Sequence, residues 1–266
     1  MTAPVITVVD PLDPRIAVFR QVRERDVAGR MGLFIAEGEV VLRVLARTRL
    51  YRTQALLIVQ KRLGQLAPLI ARFESRVAVY IASQSVMDAT VGFPIHRGIL
   101  AAGIRGEART PAALLAQLSG PSLVLGLFGV SNHDNIGGIF RNAAAFGAKA
   151  VILDCGCCDP LYRKAIRVSV GASLTVPFSR LSPADDPIEV FESAGFEPLA
   201  LTPEGGAPLA SVISPSRAVL LLGAEGGGLP AGILARCRTV SIPMSGGFDS
   251  LNVATTSGIV LHHLTK

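Results

Sequence analysis

Two glycine-rich loops near the carboxyl end of the sequence, each following a short predicted strand, constrain the fold more than any other feature. Residues 218–222 lead into the loop 223–230, and residues 239–242 lead into the loop 243–252. Short apolar runs bounded by turn residues are typical of buried parallel strands, and glycine lets a backbone approach a ligand closely. Either loop alone could be a simple turn, but loops at the carboxyl ends of parallel strands face one crevice. The repeated design therefore predicts a ligand site.

The residues around these loops predict which groups would face the ligand. A last helix is predicted for residues 251–264, with Ser250 at its N-cap, so that free backbone N–H groups point into the second loop. Glu225 is the only charged residue in the first loop. Because its neighbours are apolar, we expect Glu225 at the sheet edge rather than on an exposed turn.

A third strand, loop and helix lie upstream and carry further polar side chains. Residues 122–127 predict a buried strand, residues 131–138 a loop and residues 139–147 a helix. Asn135 would then lie at the mouth of the loop, and Arg141 would project from the second turn of the helix. A surface position is usual for a helical arginine, but the largely apolar residues around Arg141 make a functional role a competing hypothesis.

The length and composition predict two α/β domains. The chain has 266 residues, of which 50% are hydrophobic and 17% charged, which excludes disorder and favours buried parallel strands. Residues 1–110 alternate predicted strands with helices and form a small α/β domain. Residues 111–121 are predicted to be a linker, and residues 122–266 a second domain built on a parallel sheet.

The positive charge is confined to the first of these domains. Residues 1–110 contain 16 Lys and Arg against nine Asp and Glu, whereas residues 111–266 contain ten against 11. A first helix is predicted from Asp13-Pro14 onward, and it exposes Arg15, Arg20, Arg23, Arg25 and Arg30. A polyanion such as RNA is the natural partner of a basic domain, although a solubilising surface would have the same composition.

Local composition excludes several other classes of protein. The least charged stretch, residues 112–131, contains Gly120-Pro121 and several polar residues, so we expect no membrane span. The first 30 residues contain Asp10, Asp13 and several arginines, whereas a secretory signal would need an apolar core there. We therefore expect a cytoplasmic protein. The cysteines lack the spacing of a zinc site, and we expect reduced thiols and no metal at Cys155, Cys157, Cys158 and Cys237.

In order and spacing, the three loops resemble the three motifs of the SpoU-like ribose 2′-O-methyltransferases of the SPOUT superfamily. The residues that carry the resemblance are Asn135-Ile136-Gly137-Gly138-Ile139-Phe140-Arg141-Asn142-Ala143, Gly223-Ala224-Glu225-Gly226-Gly227-Gly228-Leu229, Ile242-Pro243-Met244 and Ser250-Leu251-Asn252-Val253. Further similarity to the family extends to residues 34–38, 96–99, 159–160 and 167–172. The resemblance covers most of the chain and is strongest from Leu123 onward.

This resemblance implies a fold, an activity and partners. The C-terminal domain would have a parallel sheet with a trefoil knot, and the N-terminal domain would be an RNA substrate-binding domain similar to a small ribosomal RNA-binding fold. The protein would be a homodimer. It would transfer a methyl group from S-adenosylmethionine to a ribose 2′-hydroxyl of RNA, with ribosomal RNA favoured over tRNA.

The resemblance also implies the residues of the site. Gly223, Ile242 and Leu251 would contact the cofactor. Five residues fall on the catalytic positions of the family: Asn135, Arg141, Glu225, Ser250 and Asn252. Because a guanidinium is almost always protonated, orientation of the hydroxyl and its neighbouring phosphate is a safer role for Arg141 than that of a base.

The chain departs from the family at Asn132-His133, which stands on the substrate side of the loop where the family usually has Asp-Pro.

Two other functions stay open. Residues 226–231 satisfy the dinucleotide-binding pattern, and Asp249 follows about twenty residues later. That pattern is weak alone, and the sequence after it is short for a further β-α-β half. A non-catalytic RNA-binding module would keep the basic residues 1–110 and lack cofactor binding.

Overall fold

The structure, a computed structural model, describes residues 5–20, 32–203, 205–245 and 250–266. The chain forms two compact units. Unit 1 comprises Met1–Glu107 and Leu161–Thr175, and unit 2 comprises Ala108–Pro160 and Val176–Lys266. The division after Glu107 lies next to the domain boundary predicted at residue 110, whereas the inclusion of Leu161–Thr175 in unit 1 was not anticipated.

Unit 1 is built on a mixed five-stranded sheet. Its strands are β1 (Val5–Val8), β2 (Leu33–Glu37), β3 (Arg52–Val59), β4 (Ala78–Ala82) and β5 (Ile99–Ile104), in the order β1-β4-β3-β5-β2. Strands β1, β4 and β3 are parallel, and β5 runs antiparallel to β3 and β2. The helices between them are α1 (Glu39–Leu45), α2 (Leu63–Ile70) and α3 (Gln84–Val91). The predicted alternation of strands and helices is thus confirmed.

The first predicted helix is a shorter element than expected. Asp13 caps a 3₁₀ helix, Pro14–Phe19, which ends at Arg20, and Ile16 and Phe19 are fully buried in the core of unit 1. Strand β1, which precedes this helix and pairs with β4, was not predicted. The remaining predicted basic positions, Arg23, Arg25 and Arg30, lie outside the described residues.

Segment Leu161–Thr175 packs within unit 1 through specific polar contacts. Its helix α6 (Arg163–Val168) contacts β2, and Arg163 Nη1 donates to Glu37 Oε2 at 2.5 Å. The guanidinium also lies 5.0 Å from the centre of the Phe93 ring. Glu37 is only 6% exposed, so this ion pair is largely shielded from water. The predicted domain 122–266 therefore contains a segment, Leu161–Thr175, that belongs to unit 1.

Arg163→Ala is expected to lower the free energy of unfolding by about 2 kcal/mol, because it leaves the buried Glu37 carboxylate without its cation. Arg43→Ala is the control, since Arg43 pairs with Glu39 while half exposed, and such pairs contribute about 0–1 kcal/mol. Urea denaturation measures both. An equal loss in the two variants would contradict this account of Glu37.

Unit 2 is built on a parallel seven-stranded sheet. Its strands are β6 (Ser122–Leu127), β7 (Ala150–Leu153), β8 (Phe178–Arg180), β9 (Glu197–Leu201), β10 (Ala207–Pro208), β11 (Arg217–Leu222) and β12 (Arg238–Ser241). Their order is β10-β12-β9-β11-β6-β7-β8, and every recorded pairing is parallel. The predicted α/β class with a parallel C-terminal sheet is confirmed, and the trefoil knot stays a prediction.

The helices of unit 2 complete its core. They are α4 (Pro111–Leu115), α5 (His133–Ala145), α7 (Pro187–Ser193), α8 (Ala231–Leu234) and α9 (Val253–Leu264). Helix α4 lies in the predicted linker 111–121, but Leu114 and Leu115 are buried in one cluster with Phe191 and strand residues. Residues 111–115 therefore belong to the folded unit rather than to a linker.

Two helices begin at positions that differ from the prediction. Helix α5 begins at His133, so Asn135 lies inside the helix and Arg141 lies in its third turn rather than its second. The two glycines at 137 and 138 cost helix stability, but a Cβ on Gly138 would lie 2.7 Å from Ala254 Cβ of α9. Close packing of α5 against α9 therefore explains why residue 138 is a glycine. From the sequence alone, Gly138 is predicted to be a loop residue.

Helix α9 is capped by Asn252, and the predicted cap, Ser250, lies two residues earlier. Asn252 Oδ1 accepts hydrogen bonds from the backbone N–H groups of Ala254 (3.0 Å) and Thr255 (3.2 Å). An asparagine oxygen satisfies such first-turn donors as well as a serine oxygen does. Across the described ranges, no helix is long and apolar enough to cross a membrane.

Candidate active site

A pocket of about 610 Å³ opens at the carboxyl end of the sheet in unit 2. Its walls come from residues 201–203 at the end of β9, residues 222–226 and Gly228 at the end of β11, Ile242 and Met244 after β12, and residues 250–253 with Thr256 at the start of α9. The crevice expected from the two glycine-rich loops is therefore present. Gly246 and Gly247, part of the second loop, lie outside the described residues.

All three predicted cofactor residues line this pocket. Gly223, Ile242 and Leu251 contribute to one wall each, from β11, β12 and the segment before α9. Strands β11 and β12 are not neighbours, because β9 lies between them. Residues 201–203 at the end of β9 therefore also line the pocket, and we did not anticipate them. The apolar run 198–201 followed by Thr202-Pro203 is the signal that could have indicated them.

The first glycine loop folds back on itself as a tight turn. Gly228 N donates to Ala224 O at 3.0 Å, and Gly226 has φ +81°, a conformation that favours glycine. A Cβ on Gly223 would overlap the backbone of Gly228 and Leu229 well inside van der Waals contact. Only glycine at residue 223 lets the two sides of the loop approach each other in this way.

Three predicted catalytic residues meet in one hydrogen-bond network. Asn135 Nδ2 donates to Glu225 Oε1 at 2.6 Å, and Asn252 Nδ2 donates to the same oxygen at 3.1 Å. Asn252 Nδ2 also lies 2.9 Å from Asn135 Oδ1. Asn135 is 5% exposed, so its amide depends on these partners. The network joins helix α5, the first glycine loop and the cap of α9.

The environment of Glu225 differs in part from the expectation. The residue is exposed on the glycine turn, whereas we had expected it to be drawn to the sheet edge. Its carboxylate is nevertheless fixed, since both recorded hydrogen bonds end on Oε1. Among the described residues, Oε2 has no recorded partner and can accept a hydrogen bond from a ligand.

The other two predicted catalytic residues are Ser250 and Arg141, and they differ in their positions. Ser250 lines the pocket and is exposed. Arg141 is exposed on α5, does not line the pocket, and forms no recorded hydrogen bond or ion pair with another described residue. The expected apolar surrounding of Arg141 is therefore wrong, because the buried side chains of α5 lie on its opposite faces, at Ile139, Phe140 and Ala143.

Asn142 contributes to the site and was not predicted to have a role. Its Nδ2 donates to Ala254 O at 2.7 Å and to Ser257 Oγ at 2.9 Å. These bonds hold the first turn of α9, and with it the cap Asn252, against α5, where Asn135 lies. Asn142 is therefore a positioning residue for the network, recognisable only once the two helices are seen together.

Asn142→Ala is expected to lower turnover about tenfold, because the loss of two hydrogen bonds lets the start of α9 move relative to α5. Ser257→Ala, which removes only one of the partners, should have a smaller effect. Steady-state kinetics separate the two, and the KM for substrate should change little. A normal turnover number for Asn142→Ala would contradict this role.

Asn132, which stands where the family usually has Asp, caps helix α5. Asn132 Oδ1 accepts from the backbone N–H of Asp134 at 2.8 Å, the bond that an aspartate would also form. The departure at Asn132-His133 therefore preserves the start of the helix.

Two of the cysteines that follow β7, Cys157 and Cys158, are poor nucleophiles and poor metal ligands. Burial, followed by the nearby Asp154 carboxylate, raises the pKa of the Cys157 thiol to about 12. Burial, followed by Asp159, raises the pKa of Cys158 to about 11. Thiols with such pKa values are protonated at neutral pH. In the described part of the chain, no three His, Cys, Asp or Glu residues are grouped so as to hold a metal ion.

Comparisons with known proteins agree with this architecture. The family model described as the SpoU rRNA Methylase family matches residues 122–262. An uncharacterized tRNA/rRNA methyltransferase of Mycobacterium tuberculosis is 40% identical over 269 residues, which cover 97% of this chain and 91% of the relative. The 23S rRNA (guanosine-2′-O-)-methyltransferase RlmB of Escherichia coli is 30% identical over 207 residues, which cover 76% of this chain and 85% of RlmB.

Solved structures share the fold across both units. The crystal structure of an AdoMet-bound rRNA methyltransferase from Sinorhizobium meliloti has a TM-score of 0.81 at 23% identity, and the match covers 98% of this chain and 97% of that one. The SpoU methyltransferase AviRb from Streptomyces viridochromogenes, in complex with AdoMet, has a TM-score of 0.78 at 22% identity, with 95% and 97% covered.

Proposed function

Because this chain belongs to the SpoU rRNA methylase family, we propose that it transfers the methyl group of S-adenosylmethionine to a ribose 2′-hydroxyl of RNA. The observation that carries the proposal is the pocket at the strand ends, where the residues proposed for the cofactor adjoin the network of Asn135, Glu225 and Asn252. RlmB, whose name specifies ribose methylation of 23S rRNA, supports ribosomal RNA over tRNA. A cytoplasmic location is part of this proposal.

The pocket has the size and chemistry that S-adenosylmethionine requires. Its volume of about 610 Å³ lies within the range of about 300–1,000 Å³ typical of small-molecule sites. Leu222, Ile242 and Leu251 offer apolar walls for an adenine ring, and the backbone of the glycine loop beginning at Gly223 offers polar groups at close range. When bound, the cofactor supplies a methyl group on a positively charged sulfur. These residues would hold it.

The residues of the chain would fix and polarise the ribose hydroxyl. Methyl transfer is an in-line displacement, so the attacking oxygen must be held close to the methyl carbon and must lose its proton. Glu225, restrained by the amides of Asn135 and Asn252, presents Oε2 as an acceptor for a hydroxyl proton. Ser250, on the pocket wall, is a further hydrogen-bonding group for the substrate.

Arg141 would act on the RNA rather than on the cofactor. Its guanidinium is exposed on α5, where an RNA strand or a second protomer can reach it. A guanidinium stays protonated in proteins, and its planar fork matches the oxygens of a phosphate. We therefore assign it the orientation of the hydroxyl and its adjacent phosphate, and not the removal of the proton as a free base.

A homodimer formed through unit 2 is part of this proposal. Ile259 on α9 is 39% exposed, and a second copy of the chain would cover such an apolar side chain. Sedimentation equilibrium of the intact protein tests this. A monomer at all concentrations would reject the dimer without affecting the proposed chemistry.

The rival functions differ in the ligand that they bind. Calorimetry with S-adenosylmethionine and with NAD should show binding of S-adenosylmethionine alone. A dinucleotide-binding fold needs a further β-α-β half after the glycine loop. Among the described residues, only β12 and α9 follow that loop as a strand and a long helix, and β12 has only the short β10 on its outer side. Binding of NAD alone would favour the dinucleotide enzyme. Binding of neither, together with RNA binding, would favour the non-catalytic module.

The proposed reaction itself is tested with labelled cofactor. Incubation of the protein with methyl-labelled S-adenosylmethionine and separate pools of ribosomal RNA and tRNA should label ribosomal RNA. Alkaline hydrolysis should then leave a resistant dinucleotide, because a 2′-O-methyl group removes the nucleophile that cleaves the adjacent linkage. Label in fully hydrolysed mononucleotides would indicate base methylation and would overturn the ribose assignment.

A further inference from the structure

Two groups of arginines in unit 1 differ in their partners. Near the carboxyl ends of β2 and β3, Arg163 pairs with Glu37, and Arg43 and Arg62 both pair with Glu39 at 2.5 Å and 2.9 Å. The two carboxylates therefore neutralise much of the charge of these three arginines. Charge that is already paired attracts a polyanion less than charge that is not.

The second group lies in the turn between α1 and β3 and at the first residue of β3, which is the amino end of that strand. Arg47, Arg49 and Arg52 are all exposed there. None of the three has a recorded ion pair or side-chain hydrogen bond with another described residue. We call residues 47–52 the arginine edge.

The arginine edge is held by the side chains that alternate with its charges. Thr48 Oγ1 donates to Leu174 O at 2.6 Å and accepts from Leu50 N at 3.2 Å. The Tyr51 ring packs edge-on against Phe34, with the ring centres 5.2 Å apart. These contacts fix the backbone of the turn while its guanidiniums extend into solvent. A fixed display of charge loses less conformational entropy on binding than a mobile one.

We propose that the arginine edge binds the phosphate backbone of the RNA substrate, an inference that rests on the proposed function. Three guanidiniums within six residues match a chain of phosphates, and each is a planar donor suited to phosphate oxygens. The only aromatic side chain of the turn, Tyr51, is half-buried against Phe34, so the edge offers charge rather than a stacking platform for bases. Binding there is therefore independent of RNA sequence.

The test compares two triple variants of the intact protein with equal losses of charge. Arg47→Gln, Arg49→Gln and Arg52→Gln together should weaken binding to a ribosomal RNA fragment about tenfold or more and lower the salt dependence of log K by about 2. The control combines Arg15→Gln, Arg43→Gln and Lys61→Gln, of which Arg15 and Arg43 are already paired with carboxylates. It should bind nearly as the wild type does.

Further readouts separate a surface contact from damage to the enzyme. In the arginine-edge variant the KM for RNA should rise, while turnover at saturating RNA and affinity for S-adenosylmethionine should stay unchanged. Replacement of the same three residues by lysine should restore most of the affinity, because phosphate contacts depend mainly on charge. Equal weakening in the control and the arginine-edge variant would overturn the inference, as would unchanged affinity in the latter.

The two proposals fail in different ways. If the wild-type protein methylates ribosomal RNA and the arginine-edge variant binds that RNA normally, the proposed function stands and the inference about residues 47–52 is wrong. If the wild-type protein neither methylates nor binds RNA, the proposed function is wrong and the inference falls with it.

Discussion

Gly223→Ala is expected to weaken the binding of S-adenosylmethionine by roughly a hundredfold or more and to abolish measurable methylation. Each factor of ten in affinity corresponds to about 1.4 kcal/mol of binding free energy. The added Cβ would overlap the backbone of Gly228 and Leu229, which no side-chain rotation can relieve. The turn must therefore open. Because this turn forms one wall of the pocket and carries Glu225, its opening disturbs both the cofactor site and the carboxylate. Calorimetry with the cofactor measures the loss directly.

Gly227→Ala is the matched control in the same loop. A Cβ on Gly227 would have no heavy atom within 4 Å, so its addition should leave cofactor binding nearly unchanged. Melting temperatures of both variants show whether the effect is local. If Gly223→Ala bound the cofactor as tightly as Gly227→Ala, the closed turn would not be needed for the site, and the prediction would be wrong.

The sequence was informative about the site because strands and their ends follow local rules. The strands predicted at residues 218–222 and 239–242 are β11 and β12, and residues of both loops line the same pocket. A buried parallel strand is recognisable from a few consecutive apolar residues, and a glycine run marks the place where the strand ends. Neither signal depends on distant parts of the chain.

Features that depend on contacts between distant residues could not be predicted. Glycine disfavours helices, so the sequence predicts a loop at Gly137 and Gly138, but the residue whose packing requires Gly138 is Ala254, more than a hundred residues away in the chain. The same distance conceals the role of Asn142, whose partners lie on α9. The packing of Leu161–Thr175 in unit 1 is likewise set by Glu37 and other residues remote in sequence.

The network at Glu225 shows how geometry refines a list of residues. The sequence grouped Asn135, Glu225 and Asn252 by resemblance alone, and the hydrogen bonds now explain what each does for the others. Asn252 has two tasks, because its oxygen caps α9 while its amide nitrogen reaches Glu225 and Asn135. A helix terminus therefore fixes the orientation of a carboxylate at the pocket. The roles of these residues in turnover stay predictions.

Arg141→Ala is expected to reduce turnover roughly a hundredfold or more while the affinity for S-adenosylmethionine changes little, which is the scale of losses of positioning or general-base groups. The exposed guanidinium does not line the pocket, so the cofactor should bind without it. Arg141→Lys should not restore turnover, because a point charge on a flexible stem cannot reproduce a planar fork. Single-turnover kinetics and calorimetry on both variants measure these effects.

The exposed position of Arg141 makes this prediction sharper than one about a buried residue. A structural strut under the loops would lower the melting temperature and cofactor affinity together in both variants, but an exposed side chain with no recorded partner in the described ranges should affect neither. If Arg141 is a surface residue without a functional role, both variants should be fully active. A loss of turnover confined to the chemical step, at normal melting temperature and cofactor affinity, therefore identifies Arg141 as a residue that acts on the RNA during transfer.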